Sequence, residues 1–380
     1  MSRVSPRNRP TPGLFAARPS SREARRSAGG SELAAPPQLP ASPPATAAPP
    51  SPSPHQQKLA LYAGGALVVL IVIVILLLSP RRPPISLVPK GQTVVQVVDV
   101  RRFFGSPVYQ VLSTLSHPLM GPIEAKEERY NISLRRDVVS IVDTDDSTIL
   151  IGRFRAERMR DSFEMSIEAS EKEINRGRQN PVQLQIQQAE VEGYPYSFCN
   201  QEGVDHAFTS LGSSIVCFGD RWGVRRFLKG RAGLRGHALD DDAFASAYSP
   251  VLARRAFLCR LEKPGGKIVT TKLKAVLAEA GEGVRATFFA VATTSKAIEL
   301  SIRFAAKDPA AAERIEAQLA KASAQVALRP LLGADASLKI SRAESVVTLE
   351  ASMPLDSFDE IVEKDKKGQG SNLVLTLLAS

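Results

Sequence analysis

Five basic side chains crowd the segment 221–231: Arg221, Arg225, Arg226, Lys229 and Arg231. On a helix, Arg221, Arg225 and Lys229 recur at i, i+4 and i+8 and share a face. Val224, Phe227 and Leu228 then fall on the opposite, apolar side. Such a face, with Arg226 beside it, suits an acidic partner or an anionic polymer of a cell envelope. A solvated helix surface is the competing explanation. Without interleaved aromatic residues the cluster does not read as a nucleic-acid surface.

The remaining chemistry-bearing residues are sparse. A nucleophilic triad needs a Ser or Cys, a base and an orienting group. Outside the N-terminal tail the histidines are His117, His206 and His237. No serine sits in a G-x-S-x-G turn, and Leu211–Ser214 reads as the start of a strand. His206 and His237 lie in polar, loop-like surroundings. Two acidic runs, Asp143–Asp146 and Asp240–Asp242, invite a calcium reading. The first has carboxylates at the right initial spacing but no glycine at the sixth position. Turn chemistry explains the first run and helix capping the second. Gly265-Gly266-Lys267 lacks the frame of a phosphate-binding loop.

Three cysteines, Cys199, Cys217 and Cys259, form no C-x-x-C pair, and no histidine stands at metal-ligand spacing from them. Each lies in an apolar, strand-like run, where a small buried hydrophobe is the plain explanation. A Cys199–Cys217 disulfide between neighbouring strands is the alternative if the region is exported. No cofactor, metal or catalytic residue is therefore expected.

The elements that carry these residues follow from composition. Residues 1–57 are mostly Pro, Ala, Ser and Arg, with seven arginines against two glutamates. Large apolar side chains are nearly absent, so the tail cannot offset its ordering entropy and is expected to be disordered, with polyproline II character around Pro36–Pro54. That tail holds +5 and Lys58 a further +1 of the chain's net +10. The folded part is only mildly basic, and a high overall pI is no argument for a nucleic-acid-binding fold.

Leu59–Leu78 runs for 20 residues without a charge. At ~1.5 Å per residue that is ~30 Å, the thickness of a bilayer's hydrocarbon core. Tyr62, Lys58 and Arg81-Arg82 flank it as interfacial anchors do. The run starts too far from residue 1 for a cleaved signal peptide, so residues 58–79 read as an uncleaved transmembrane helix. The tail's arginines place the N-terminus inside, although Arg81, Arg82 and Lys90 argue the reverse by local count. A large globular region behind an internal anchor is commonly the exported part. The expectation is a single-pass inner-membrane protein with a cytoplasmic N-terminus and a periplasmic C-terminal region.

Beyond a Pro-rich stalk (80–92), the pattern alternates between strands and helices. Thr93–Val100 is a short β-branched strand. Ser106-Pro107 starts a helix with Val108, Val111, Leu112 and Leu115 on one face. Asp137–Asp143 and Thr148–Phe154 make a hairpin. A helix with Ala156, Met159, Phe163 and Ile167 inward follows. Gln183–Asp220 holds two or three more strands.

The second half repeats the theme. Ala256–Glu262 is a strand, and 286–294 with 297–305 make a hairpin. The Asp308-Pro309 helix places Ile315, Leu319, Ala322 and Val326 on one face. Strand 345–353 is followed by a helix with Phe358, Ile361 and Val362 inward. Hairpins followed by helices predict an α+β fold of antiparallel sheets with helices packed on one face, in two similar subdomains, 93–235 and 236–380.

The run L-V-P-x4-V-V-x-V-V-D-V (Leu87–Val100), the Gly105-Ser106-Pro107 helix start, Ile149–Phe154, and Phe218-Gly219-Asp220 before Val224–Leu228 resemble a loose group of bacterial membrane-anchored proteins. Those carry a repeated extracytoplasmic α+β domain without an assigned activity. The resemblance covers roughly residues 87–330. It implies envelope placement and fold class and no catalytic residue.

The expected function is that of a non-enzymatic, membrane-anchored envelope protein whose α+β region binds a protein partner or an envelope surface. The residues Arg221, Arg225, Arg226 and Lys229 are its candidate anionic-partner patch. Two alternatives stand beside it: a hydrolase assembled from scattered polar residues, and a sensor signalling through the tail.

Overall fold

Short β-branched runs and well-capped amphipathic stretches decide the elements of this chain. The structure, a computed structural model, describes residues 83–121, 127, 132–368 and 372–379. The tail and the Leu59–Leu78 segment lie outside the described residues. No helix among the described residues is long and apolar enough to cross a membrane.

The chain opens with β1 (Val94–Asp99), α1 (Val100–Phe104), α2 (Pro107–Thr114) and α3 (Leu134–Asp137). The hairpin β2 (Val138–Thr144) and β3 (Ser147–Gly152) leads into α4 (Ala156–Ile174). Four strands follow, β4 (Gln187–Val191), β5 (Tyr194–Gln201), β6 (Val204–Leu211) and β7 (Ile215–Gly219), then α5 (Arg221–Arg231), α6 (Asp242–Ala247) and α7 (Pro250–Arg255). A second series runs β8 (Leu258–Glu262), α8 (Lys274–Leu277), β9 (Val284–Thr293), β10 (Ala297–Ala306), α9 (Pro309–Ala320) and α10 (Ala322–Leu332). It closes with β11 (Ser337–Ala343), β12 (Val346–Pro354), α11 (Leu355–Lys366) and α12 (Leu373–Ala379).

Side-chain caps set several helix starts. The Ser106 hydroxyl accepts the Tyr109 N–H at 3.2 Å ahead of α2. Asp308 accepts the Ala311 N–H at 2.7 Å ahead of α9. Asp241 accepts from Ala243 at 3.1 Å ahead of α6, so the second acidic run does cap a helix.

Among the described residues, twelve strands form one sheet in the order β11-β12-β10-β9-β8-β1-β2-β3-β7-β6-β5-β4. Every pairing is antiparallel. The fold is therefore α+β with a large antiparallel sheet. The β1–β8 pairing, in which Val97 faces Cys259, joins the two series into a single sheet.

Helices cover both faces, which corrects the expectation of one. Val224, Phe227 and Leu228 of α5 and Phe244 of α6 pack with Val95, Val142, Ile149, Cys217 and Leu261 on one face. On the other, Phe289, Ile302 and Leu349 lie under α2 and α9 to α12. Ile141, Leu150, Phe208 and Val216 lie there under α4. The reason is in the strands themselves. All of β8 is buried, as is most of β9, so these strands need cover on both sides.

Two local expectations also fail. Between Gln183 and Asp220 there are four strands, because Val204–Leu211 pairs with both β5 and β7. The helix starting at Asp308-Pro309 does not carry Ala322 and Val326 on its inward face. It stops at Lys321, whose ψ of 139° is extended, and α10 leaves Val326 67% exposed.

Candidate functional site

The basic cluster lies on α5, which grows out of the end of β7. Asp220 caps it, accepting the Gly223 N–H at 2.6 Å. Val224, Phe227 and Leu228 are fully buried. At about 1.5–3 kcal/mol for each large apolar side chain removed from water, they hold the helix on the sheet against Ile85 and Val88 of the stalk end. The stalk is fixed there as well: the Lys90 N–H donates to the Gly236 carbonyl at 2.8 Å, and Ala238 donates to Val88 at 2.8 Å.

The outward face presents Arg221, Trp222, Arg225, Arg226 and Lys229. Two of the candidate patch residues are drawn into the fold. Arg221 lays its guanidinium over the Phe198 ring at 4.1 Å. Arg226 pairs with Asp146 at 2.6 Å, and both side chains are largely buried. Asp146 also accepts from Thr144 at 3.1 Å and from Gln92 at 3.3 Å. Arg225 and Lys229 remain half-buried, with no carboxylate among the described residues paired to them. The structure thus brings the four residues onto one helix face but splits them into two that hold the helix and two that are free.

The sequence reading missed Trp222, the chain's single tryptophan. It is 55% exposed in the middle of the cluster. The guanidinium groups of Arg226 and Arg235 each stand 5.9 Å from its ring. An aromatic residue is therefore interleaved with the basic ones, contrary to expectation. The signal was available: at 100° per residue Trp222 falls between Arg225 and Arg226.

The acidic run at 143–146 does not converge. Asp143 accepts from the Thr148 hydroxyl at 2.6 Å, Asp145 from the Thr93 N–H at 2.6 Å, and Asp146 turns to Arg226. Each carboxylate is spent on a different partner. His237 sits ahead of a short 3-10 turn, its N–H donating to Asp240 at 2.6 Å. His117 is buried; its Nδ1 accepts the Leu119 N–H at 3.2 Å, so Nε2 donates to Asp365 at 3.1 Å. That contact clasps α11 to the end of α2.

His206 is on β6 and not in a loop. It borders a cleft of about 260 Å³ with Thr148, Ser162 and Ser166. The hydroxyls there are already engaged. Ser162 donates to the Arg158 carbonyl at 2.9 Å and Ser166 to the Phe163 carbonyl at 2.7 Å, both back onto α4. This is the bonding of helix serines and not of activated nucleophiles.

A buried charged network went unseen because Ala256–Glu262 reads as an apolar strand. Arg260 donates to Glu262 at 2.9 and 2.7 Å and to Gln96 across the β1–β8 seam at 2.9 Å. The Val269 N–H donates to the second Glu262 oxygen at 3.1 Å. The Arg-x-Glu spacing, which puts both charges on one strand face, was the only hint.

All three cysteines are free and buried, which corrects the Cys199–Cys217 disulfide. Cys199 is on β5 and Cys217 on β7, with β6 between them. They belong to cores on opposite faces of the sheet. Two strand spacings are ~10 Å, beyond the reach of a disulfide. Burial pushes the Cys199 and Cys217 thiols up, and that of Cys259 to about 12. A maleimide at pH 8 should leave all three unmodified over minutes in the native protein and modify all three after unfolding. Rapid native labelling of any one would contradict the burial.

No family model matches the chain. No curated protein is similar to it. Two solved structures are similar in fold, crystal forms III and I of TP0453, at TM-scores of 0.41 and 0.39 and 8% and 9% identity. They cover 74% and 75% of this chain and 98% of each of theirs. At that level the likeness carries no argument about function.

Proposed function

We propose that this is a membrane-anchored, non-enzymatic envelope protein whose folded region binds an anionic surface or acidic partner through the outward face of α5. The anchor is Leu59–Leu78, the tail is cytoplasmic and the folded region is exported. The two strand series read as similar subdomains, 93–235 and 236–380. One observation carries the binding role: an exposed tryptophan set among Arg225, Arg226, Lys229 and Arg235. A surface that meets negative charge gains from it, because the ring adds apolar contact and stacks with guanidinium groups.

The single tryptophan makes the test direct, since its emission reports on this helix alone. The full chain in uncharged detergent is titrated with two probes, poly-glutamate and bicelles containing phosphatidylglycerol. The expected result is a blue shift of emission with at least one probe, reversed by high salt. Each basic side chain near an anionic surface is worth about 1 kcal/mol, so Arg225→Gln with Lys229→Gln should weaken binding roughly 30-fold. If neither probe moves the emission, the α5 face is only a solvated surface.

A further inference from the structure

A second concentration of positive charge lies at the other end of the β2–β3 hairpin. Arg136, Arg153, Arg155 and Arg158 line a cleft of about 360 Å³ between the end of β3 and the start of α4. Phe154 and Met159 underlie it and are themselves buried, so the surface open to a ligand is mainly that of the arginines, with Ile132 half-buried beside them. The hairpin builds the cleft through a close backbone approach. The Arg153 N–H donates to the Asp137 carbonyl at 2.7 Å. A Cβ at Gly152 would overlap that same carbonyl oxygen, so glycine is required there.

The charge balance is uneven. Asp137 is the one carboxylate lining the cleft. Arg136 takes it with two hydrogen bonds, at 2.9 and 3.2 Å. The Arg136 hydrogen bond holds the Asp137 carboxyl below its ordinary range, so the pair stays ionised at neutral pH. Arg153, Arg155 and Arg158 have no carboxylate paired to them among the described residues. Four guanidinium groups thus share one carboxylate, Arg158 also acting on Asp137, and the exposed excess of positive charge attracts an anion. The positive end of the α4 dipole adds to the same field.

We propose that this cleft is a binding site for a phosphate monoester, the phosphate group held by Arg153, Arg155 and Arg158. Guanidinium groups match phosphate oxygens with paired hydrogen bonds, which favours phosphate over a lone carboxylate. The volume lies at the small end of the range for ligand pockets, enough for a phosphate group. The site is separate from the α5 face and involves none of its residues.

Phenyl phosphate is a probe that carries the phosphate monoester group. Calorimetric titration of the full chain at low salt should show saturable binding at one site. Arg155→Gln and Arg158→Gln should each weaken it roughly tenfold or more, as loss of a charge-assisted hydrogen bond does. Arg160→Gln, on α4 but outside the cleft, should leave it unchanged, as should the α5 substitutions. These arginines are exposed, so the variants are expected to fold, and an unchanged thermal midpoint confirms it. Vesicles containing phosphatidic acid distinguish the source of the phosphate. Binding of both probes points to a lipid headgroup, and of phenyl phosphate alone to a soluble ester. Absence of saturable binding to either overturns the site. So does an equal loss in Arg160→Gln, which would reduce the effect to net charge. Benzoate binding as tightly as phenyl phosphate would overturn the assignment to phosphate.

Discussion

Replacing Arg260 with alanine should destabilise the folded region by about 3–5 kcal/mol, the range for removing one partner from a buried ion pair. Arg260 and Glu262 expose 5% and 0% of their side chains. With Arg260 gone, Glu262 keeps the Val269 N–H but loses its counter-charge in a site without solvent access. The hydrogen bond from Arg260 to Gln96 is lost at the same time. The pair itself need not stabilise the fold, because its desolvation roughly offsets its attraction. Arg260→Met combined with Glu262→Gln should therefore recover most of the loss, since no buried charge remains. Denaturant midpoints at constant slope measure both variants. A cost below about 1 kcal/mol for Arg260→Ala would mean that the seam between β1 and β8 admits water.

Local signals carried most of the fold, and pairing carried the rest. Ser106-Pro107, Asp308-Pro309 and the 240–242 run mark helix starts because a side-chain oxygen followed by free N–H groups is a local arrangement. Met159, Phe163 and Ile167 of α4 and the inward residues of α5 follow from period alone, whereas Ala156, expected inward, is exposed at the first turn. β6 was illegible because Asp205, His206 and Thr209 break its apolar alternation, and it is held between β5 and β7 by backbone bonds formed only after folding. That omission produced the disulfide error: with β6 absent, Cys199 and Cys217 fall on adjacent strands. The break at Lys321 has no proline or glycine to announce it, so the helical period ran on through Val326. The four candidate patch residues of α5 were visible as a cluster. Their division was not, because it depends on Phe198 and Asp146, which are remote in sequence. The arginines of the 360 Å³ cleft were also remote from one another, at 136 and at 153–158, and only the β2–β3 hairpin unites them.

Two glycines of α5 should respond to alanine with opposite signs. In an exposed helix interior, Gly→Ala stabilises by about 1 kcal/mol, because glycine loses more backbone freedom on folding. Gly230 is buried, but it has room for a methyl group. A Cβ there would meet the Cβ of Pro89 at 3.5 Å, an ordinary contact that also packs the helix against the stalk. Gly230→Ala should be neutral or stabilising by up to about 1 kcal/mol. Gly223 is the reverse. Its Cβ would overlap the carbonyl of Asp146 and approach the Asp146 carboxyl carbon to 2.9 Å. The obstacle is backbone in a tight turn, which also accepts the Asp220 N–H at 3.2 Å, so it cannot move aside cheaply. Overpacking of this kind costs about 1–3 kcal/mol, and loosening the buried Arg226–Asp146 pair adds to it. A net loss of about 3 kcal/mol should lower the melting midpoint by roughly 5 °C for a region of this size. Because Trp222 is the adjacent residue and the only tryptophan, its emission should shift in Gly223→Ala and hold steady in Gly230→Ala. Equal effects from the two substitutions would mean that α5 is not seated on the β2–β3 turn. The basic face would then have no fixed geometry, and Arg225 and Lys229 would act only as two charges on a loose helix.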